Sequence, residues 1–261
     1  MHIWAIANQK GGVGKTTTTA TLGALLAEDG VRVLLVDMDP HASLSGYFSL
    51  EDLSGMGSAY ELFRENQPPC VSSLVRETGY EGLSLLPASA PMATLDRQLA
   101  KRPGTGRILA NALAAVVDDY EYVLLDCPPT LGVLMVNALV ASQRLLIPTQ
   151  TEALALDGLE RMLRSLQMIE RSMGRVLPRW IVPTMYDART LHGRSALMSM
   201  RDRYRQLVTR NVIAVDPQIR EASAHGQPLN RWPAARHSAE CYRALLDEVL
   251  SADLQMDEVS A

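Results

Sequence analysis

Residues 7–19 read ANQKGGVGKTTTT, and this stretch decides the fold class of the chain. It follows a short apolar run at residues 2–7 and precedes a segment with the apolar spacing of a helix. A glycine-rich turn between a strand and a helix is the context in which backbone N–H groups bind phosphate. We therefore predict a phosphate-binding loop near the start of the chain.

Each residue type in this loop has a physical reason to be there. The three glycines let the backbone approach phosphate oxygens without obstruction by a Cβ atom. Lys15 is expected to reach the β- and γ-phosphates, the hydroxyl of Thr16 to coordinate Mg²⁺, and that of Thr17 to contact the α-phosphate. The candidate nucleotide-binding residues of the loop are Gly11, Gly12, Val13, Gly14, Lys15, Thr16 and Thr17.

The rest of the chain alternates short apolar runs with longer helical patterns. Strands are predicted at 2–7, 31–39, 83–88, 122–126, 144–150, 179–187 and 212–217. Helices are predicted at 16–29, 106–119, 154–173, 193–210 and 238–250. Continuous apolar runs suit strands that are covered on both faces, so the alternation predicts an α/β fold with a single doubly wound, mostly parallel sheet and helices on both faces. We expect one domain over residues 1–250 and a flexible acidic tail over residues 251–261.

Three aspartates stand where predicted strands end. Asp37 and Asp39 end the second strand, and Asp126 closes the run YVLLD. The carboxyl ends of parallel strands meet at one edge of a sheet, so these carboxylates are expected beside the phosphate loop. Asp126 would hold Mg²⁺ through water, and Asp37 would support the metal shell or the loop lysine.

Composition narrows the functional classes. Apolar residues make up 47% of the chain and charged residues 21%, which is typical of a globular protein. The three cysteines lie far apart without CxxC spacing, which argues against a zinc site or a disulfide framework and favours a reducing compartment. No run approaches the roughly 20 apolar residues of a membrane span, so we expect a cytoplasmic protein.

Charge is distributed unevenly along the chain. Residues 161–210 contain eleven arginines and three acidic residues, although the whole chain has a net charge of −4. Segregated charge favours a polyanionic partner such as DNA, but a solvated helix face would give the same pattern. Arg194, Arg201 and Arg205 would share one face of the predicted helix 193–210 and are candidate DNA contacts.

Lys10 distinguishes this loop from the general pattern GxxxxGK[ST], whose first glycine position is here Gln9. The loop KGGVGKTT resembles the KGGxGK[ST] signature of the ParA/MinD family of ATPases. The resemblance implies a P-loop NTPase fold of the SIMIBI/MinD type, with ATP, ADP and Mg²⁺ as ligands and a homodimer formed with ATP. In that family the extra lysine contacts nucleotide across the dimer interface, which would make Lys10 the dimerisation sensor and, with Lys15, part of the hydrolytic site. Asp39 would orient the attacking water and is counted with Thr16 and Asp126 around the metal.

The similarity covers most of the chain. The stretch TMYDARTLHGR (184–194) and the C-terminal helical pattern resemble the corresponding ParA segments. The resemblance implies adenine contacts at Thr184, Met185, Asp216 and Pro217, and a DNA contact at Arg189. The acidic C-terminus differs from the basic amphipathic helix with which membrane-binding members of the family end, so no stable membrane anchoring is expected.

Three stretches are most similar to the ParA-like ATPases of chemotaxis systems, the ParC branch: DMDPHASLSGYF (37–48), residues 131–142 and residues 148–162. This branch implies a polar location, a chemotaxis array as cargo, and an array adaptor as partner. Two other hypotheses stay open. The first is a chromosome or plasmid partitioning ATPase that binds DNA non-specifically over the nucleoid and is activated by a ParB-like protein. The second is a metabolic enzyme such as a dethiobiotin-synthetase-like ligase, whose loop lacks the signature lysine.

Overall fold

The computed structural model describes residues 1–50, 57–64, 68–99, 102 and 104–260. A sheet of seven strands runs through these residues in the order β3-β4-β2-β5-β1-β6-β7. The strands are β1 (His2–Ile6), β2 (Val33–Asp37), β3 (Arg76–Glu77), β4 (Leu83–Leu86), β5 (Tyr122–Asp126), β6 (Arg144–Gln150) and β7 (Arg179–Thr184). Every neighbouring pair is parallel except β3 and β4, which confirms the predicted mostly parallel α/β sheet.

Helices cover both faces of the sheet. They are α1 (Lys15–Glu28), α2 (Ser43–Tyr47), α3 (Val71–Leu74), α4 (Leu95–Leu99), α5 (Ile108–Leu113), α6 (Val133–Ala141), α7 (Ala153–Met173), α8 (Leu191–Tyr204), α9 (Pro217–Ala224) and α10 (Arg236–Ser260). One core cluster joins α1 and α10 to the sheet, and another joins α5, α6 and α7 to its other face. None of the helices in the described ranges combines the length and the apolar character that crossing a membrane requires.

Strand order brings the candidate site residues together. β1 lies between β5 and β6, and the chain leaves it directly into the glycine-rich loop. In the register of the sheet, Ile6 pairs with Asp126 and Asp126 pairs with Asp37. The loop after β1 and the carboxylates that end β2 and β5 therefore lie at the same edge, where ligands bind in doubly wound sheets.

Close packing of α1 on the sheet depends on a small residue. A Cβ atom added at Gly23 would lie 2.6 Å from Leu35 Cδ2 and 3.3 Å from Leu83 Cδ1. Both leucines are fully or almost fully buried, so they have little room to move aside. Gly23 thus sets the distance at which α1, and the loop that precedes it, lie against β2.

One predicted strand is wrong, and one predicted helix ends earlier than expected. Residues 212–217 form no strand: the segment makes an isolated bridge between Ala214 and Tyr186, and α9 begins at Pro217. The helix predicted over 193–210 ends at Tyr204, because the next residue, Arg205, has a φ of 46° that an α-helix does not allow.

Other boundaries also differ from the sequence prediction. The helix expected over 106–119 consists of α5 flanked by 3₁₀ turns at Thr105–Arg107 and Ala114–Val116. The predicted list omitted the helices α2, α3, α4, α6 and α9 and the two-residue strand β3. The backbone of α10 continues to Ser260, so most of the tail expected over 251–261 is helical, and its flexibility stays a prediction.

Candidate functional site

The glycine-rich loop connects β1 to α1 in a conformation that requires glycine. Gly12 has a φ of 70° and Gly14 a φ of 93°, which L-residues rarely adopt. An ideal Cβ atom at Gly11, Gly12 or Gly14 would meet no other atom within 4 Å, so the space beside the loop is open. Gly14 is the N-cap of α1, and the helix begins at Lys15. The loop thus presents a helix N-terminus and an unobstructed backbone to a phosphate group.

The side chain of Lys15 folds back over the loop. Its Nζ donates a hydrogen bond to the carbonyl oxygen of Lys10 at 3.3 Å, and only 8% of the residue is exposed. A positive charge therefore lies inside the curve of the loop. This is the position from which a lysine can neutralise the charge of a bound phosphate.

Thr16 and Asp126, two of the three predicted metal-binding residues, contact each other. The Thr16 hydroxyl donates to Asp126 Oδ2 at 2.7 Å, whereas Asp126 Oδ1 is buried and lacks a hydrogen-bond partner within the described residues. Burial and, to a smaller extent, the neighbouring charge of Asp37 together raise the pKa of Asp126 to about 8. A bound cation would offset both the burial of the negative charge of Asp126 and its repulsion by Asp37. The donor set fits Mg²⁺, which binds proteins through one or two carboxylates and keeps water or phosphate as its other ligands.

A cation site built from the protein alone is not indicated. Within the described ranges, no group of three or more His, Cys, Asp or Glu side chains is placed to hold a metal. Thr16 and Asp126 would hold Mg²⁺ together with phosphate oxygens. The cysteines do not contribute a cluster: Cys127 is buried, Cys70 is exposed and Cys241 is half-buried, and all three are free thiols.

Asp39 lies on the segment between β2 and α2. Its Oδ1 accepts hydrogen bonds from the backbone N–H of His41 at 3.0 Å and from His41 Nδ1 at 2.8 Å. The side chain of Asp39 is 13% exposed and that of His41 is 80% exposed. The negative charge of Asp39 also contributes to the raised pKa of Asp126.

Asp37 has a different environment from the one that the sequence suggested. It is fully buried, and burial raises its pKa to about 6. It accepts hydrogen bonds from the backbone N–H of Asp39 and from Ser45, rather than from a loop lysine. Of the two roles expected for Asp37, contact with the loop lysine is contradicted by these hydrogen bonds, and support of the metal shell stays a prediction.

Lys10 does not point into its own loop. Its Nζ donates to Gln150 Oε1 and lies 3.5 Å from Glu152 Oε2, at the end of β6. The lysine side chain is 35% exposed and that of Glu152 is 64% exposed. The two lysines of the loop thus occupy different environments, one inside the loop and the other on its solvent-facing rim.

A cavity of about 240 Å³ adjoins the loop. Its lining includes all four residues for which the resemblance implied adenine contacts, together with Val13, Gly14 and Thr17. The Thr184 hydroxyl donates to the carbonyl oxygen of Val13 at 2.9 Å and ties the cavity wall to the loop. The four residues are Thr184, Met185, Asp216 and Pro217. The volume lies below the range of about 300–1,000 Å³ for drug-sized ligands and suits a single heterocyclic base.

The candidate DNA-contact arginines are exposed but do not form one helical face. Arg194 and Arg201 lie on α8, whereas Arg205 lies beyond its end, so the shared face predicted for the three is wrong. Arg189 makes a two-point ion pair with Asp187, at 2.9 Å for each bond, and this pair lowers the pKa of Asp187 to about 2. Arg194 donates to the carbonyl oxygen of Ala188.

Sequence reasoning missed several contacts of the loop. Gln150 binds Lys10 through Oε1, and its Nε2 donates to the carbonyl oxygen of Gly12 at 3.1 Å. Gln9 donates from Nε2 to Ser165 Oγ at 3.0 Å and links the loop to α7. The available signal was the polar run TQTE at the carboxyl end of a predicted strand, the same signal that identified Asp126.

Comparisons with known proteins identify the family of the chain. Residues 1–178 match the family model described as an AAA domain. The sporulation initiation inhibitor protein Soj of Bacillus subtilis is 36% identical over 95% of this chain and 97% of its own length. The chromosome partitioning protein ParA of Caulobacter vibrioides is 34% identical over 97% and 95%, respectively. A solved structure described as cobyrinic acid a,c-diamide synthase from Mycobacterium smegmatis, with bound ATP analogue and magnesium, is 33% identical, covers 96% of this chain and 94% of that chain, and has a TM-score of 0.83.

Proposed function

Because this chain belongs to the ParA/Soj family of ParA/MinD-type ATPases, we propose that it is an ATP-driven switch that positions a cellular cargo. It binds ATP and ADP with Mg²⁺ and hydrolyses ATP. In this role ATP makes it a homodimer, and hydrolysis is slow until a partner protein stimulates it. The observation that carries the proposal is the position of Lys10, on the rim of the loop and away from its own phosphate site.

Each residue of the site has a role in this scheme. The loop backbone and Lys15 bind the phosphates, while the base enters the cavity beside Thr184 and Pro217. Thr16 and Asp126 hold Mg²⁺, which when bound neutralises charge that develops on the β- and γ-phosphate oxygens. Asp39 orients the attacking water. Lys10 supplies its cation to the nucleotide of the partner subunit, where water exclusion strengthens the interaction.

A nucleotide shared between two subunits makes the dimer responsive to hydrolysis. Lys10 of each subunit contacts phosphate on the other, and loss of the γ-phosphate removes part of that contact. A γ-phosphate that holds two mobile segments together is a recurrent basis of two-state switching. ATP therefore favours a dimer that binds cargo, and hydrolysis returns the protein to monomers.

Two cargos have support. The name of the Caulobacter vibrioides relative favours chromosome partitioning. For that cargo we propose a ParB-like protein as activator and a location over the nucleoid. The resemblance of residues 37–48 to the ParC branch favours a polar chemotaxis array with an adaptor protein. DNA retention separates the two. A partitioning ATPase should retain plasmid DNA with ATP and Mg²⁺, and the retention should fall steeply with salt. DNA binding that is equal with ATP and without nucleotide would contradict the partitioning role.

The proposed ATPase switch is tested by a pair of variants. Lys15→Ala should bind no ATP by calorimetry, because the cation inside the loop is lost. Asp39→Ala should bind ATP with Mg²⁺ as the wild type does but should form ADP much more slowly, and light scattering should show a dimer that persists. A monomeric Asp39→Ala protein at saturating ATP would contradict the switch.

The name of the Mycobacterium smegmatis protein supports a second candidate function for this chain, that of a synthase. A ligase of this superfamily transfers phosphate to an acceptor substrate, so it forms ADP only when that acceptor is present. ADP formation by the purified chain with ATP and Mg²⁺ alone supports the switch. Turnover that requires a carboxylate acceptor would support the synthase.

A further inference from the structure

The segment between β2 and α2, which carries Asp39, is held together by hydrogen bonds to the buried carboxylate of Asp37. Asp37 Oδ1 accepts a hydrogen bond from the backbone N–H of Asp39 at 3.0 Å. Asp37 Oδ2 accepts two more, from the backbone N–H of Ser45 at 2.8 Å and from its hydroxyl at 2.7 Å. A single side chain therefore ties the beginning of the segment to its end.

We call the hydrogen bonds that Asp37 accepts from Asp39 and Ser45 the clasp. Ser45 extends the clasp to the neighbouring strand β4. Its hydroxyl oxygen accepts a hydrogen bond from the backbone N–H of Ala88 at 2.9 Å, just after β4. Ser45 is fully buried and Ala88 is 4% exposed, so water cannot replace these bonds. The hydroxyl must both donate to Asp37 and accept from Ala88. Among small side chains, only a hydroxyl does both well, since a thiol is a weak donor and a weak acceptor.

We propose that Ser45 is a positioning residue for ATP hydrolysis, which holds Asp39 in place through Asp37. The proposal rests on the proposed function, in which Asp39 orients the attacking water. Ser45 does not touch the nucleotide. It fixes the carboxylate of Asp37, which in turn fixes the backbone of Asp39, whose Oδ1 is oriented by His41.

The consequence for catalysis differs from that for binding. The phosphate loop and the base cavity make none of the clasp contacts, so ATP should bind without the Ser45 hydroxyl. Hydrolysis depends on the placement of Asp39, and a shift of about 1 Å in a catalytic group can cost about a hundredfold in rate. Loss of the clasp should therefore lower kcat and leave the KM for ATP nearly unchanged.

The test compares Ser45→Ala with a matched control, Ser142→Ala. Ser142 is equally buried, and its hydroxyl donates to the carbonyl oxygen of Ala138 at 2.6 Å at the C-terminal end of α6, away from the site. Each of the two variants loses one buried serine hydroxyl. ADP formation, ATP affinity, thermal melting and the mass of the ATP-bound species are measured for each. Ser45→Cys keeps a weak donor of similar size, and it carries the test if Ser45→Ala does not fold.

We expect Ser45→Ala to lose about tenfold to a hundredfold in kcat, with a KM for ATP within about twofold of wild type. Ser45→Cys should be intermediate, Ser142→Ala should retain wild-type turnover, and the ATP dimer of Ser45→Ala should persist. Wild-type turnover in Ser45→Ala, or in Ser45→Cys when the alanine variant does not fold, would overturn the positioning role. So would an equal loss of turnover in Ser142→Ala at an equal shift in melting temperature. If the wild type formed no ADP from ATP, the proposed function itself would fail, and the role of Ser45 with it.

Discussion

In the free chain the ammonium group of Lys10 lies against two side chains of its own subunit, and weakening this hold should favour the dimer. Lys10 Nζ contacts Gln150 Oε1 and lies 3.5 Å from Glu152 Oε2. A lysine that binds the nucleotide of a partner subunit must first leave Glu152. Glu152→Gln removes the charge of this competitor with little change in size, so it should lower the dissociation constant of the ATP dimer.

The magnitude follows from the exposure of the pair. The side chains of Lys10 and Glu152 are 35% and 64% exposed, so solvent screens their attraction strongly. An exposed pair of this kind contributes about 0.2–1 kcal/mol. Two pairs are released in each dimer, which amounts to about 0.4–2 kcal/mol and lowers the dimer dissociation constant about 2- to 30-fold. The effect should shrink as salt rises, because the pair is open to solvent.

Sedimentation velocity with a non-hydrolysable ATP analogue and Mg²⁺ measures this constant directly. Glu160→Gln is the matched control: it makes the same charge change on α7, in an exposed pair with Arg164 at 3.2 Å. The control should change the constant by less than Glu152→Gln does. A dimer of Glu152→Gln that is no tighter than wild type, or a Glu160→Gln dimer that tightens as much, would refute the competition between Glu152 and phosphate.

Three further outcomes test other parts of the molecule. Gly23→Ala should lower the free energy of unfolding by about 1–3 kcal/mol in urea, since its Cβ would lie 2.6 Å from Leu35 Cδ2; an unchanged midpoint would contradict this packing. Without Mg²⁺, thermal stability should fall as pH rises from the ordinary carboxyl range towards about 8, because Asp126 with its raised pKa keeps its proton in the folded state after the unfolded state has lost it. Asp126→Asn should flatten that fall, and a stability that rises over the same range would contradict the raised pKa. If the dimer binds DNA, Arg194→Ala with Arg201→Ala removes four arginines per dimer and should reduce the salt slope of retention by about three to four units. An unchanged slope would exclude both as phosphate contacts.

The part of the site that could be predicted from the sequence is the part that local patterns determine. Gly12 and Gly14 have positive φ values that only their residue type permits readily, and such turns are recognisable from the sequence. Asp37, Asp39 and Asp126 were placed beside the loop because carboxyl ends of parallel strands share an edge of the sheet. Neither inference needed knowledge of side-chain packing.

Errors arose where a local pattern was ambiguous. Residues 212–217 have the apolar character of a strand, but Asp216 as N-cap and Pro217 at the first helical position form a helix start that could have been recognised. Helix α6 is apolar on nearly all sides, so it lacks the periodicity by which an amphipathic helix is detected. Strand β3, with two residues, is too short for any period.

Contacts between distant segments could not be predicted at all. Lys10 and Gln150 are 140 residues apart, and their contact exists only because β1 and β6 are neighbours in the sheet. The bond from Ala88 to Ser45 depends in the same way on the pairing of β2 with β4. Strand order is set by the packing of the whole core, which patterns along the chain do not specify.

The central claim is that Lys10 acts on the nucleotide of the partner subunit, and the mass of the nucleotide-bound species tests it most directly. With a non-hydrolysable ATP analogue and Mg²⁺, the wild type should sediment as a species with twice the mass of one chain, which is 28.6 kDa. Lys10→Ala should bind the analogue and sediment as a single chain. A Lys10→Ala protein that forms the dimer as readily as the wild type would contradict the claim.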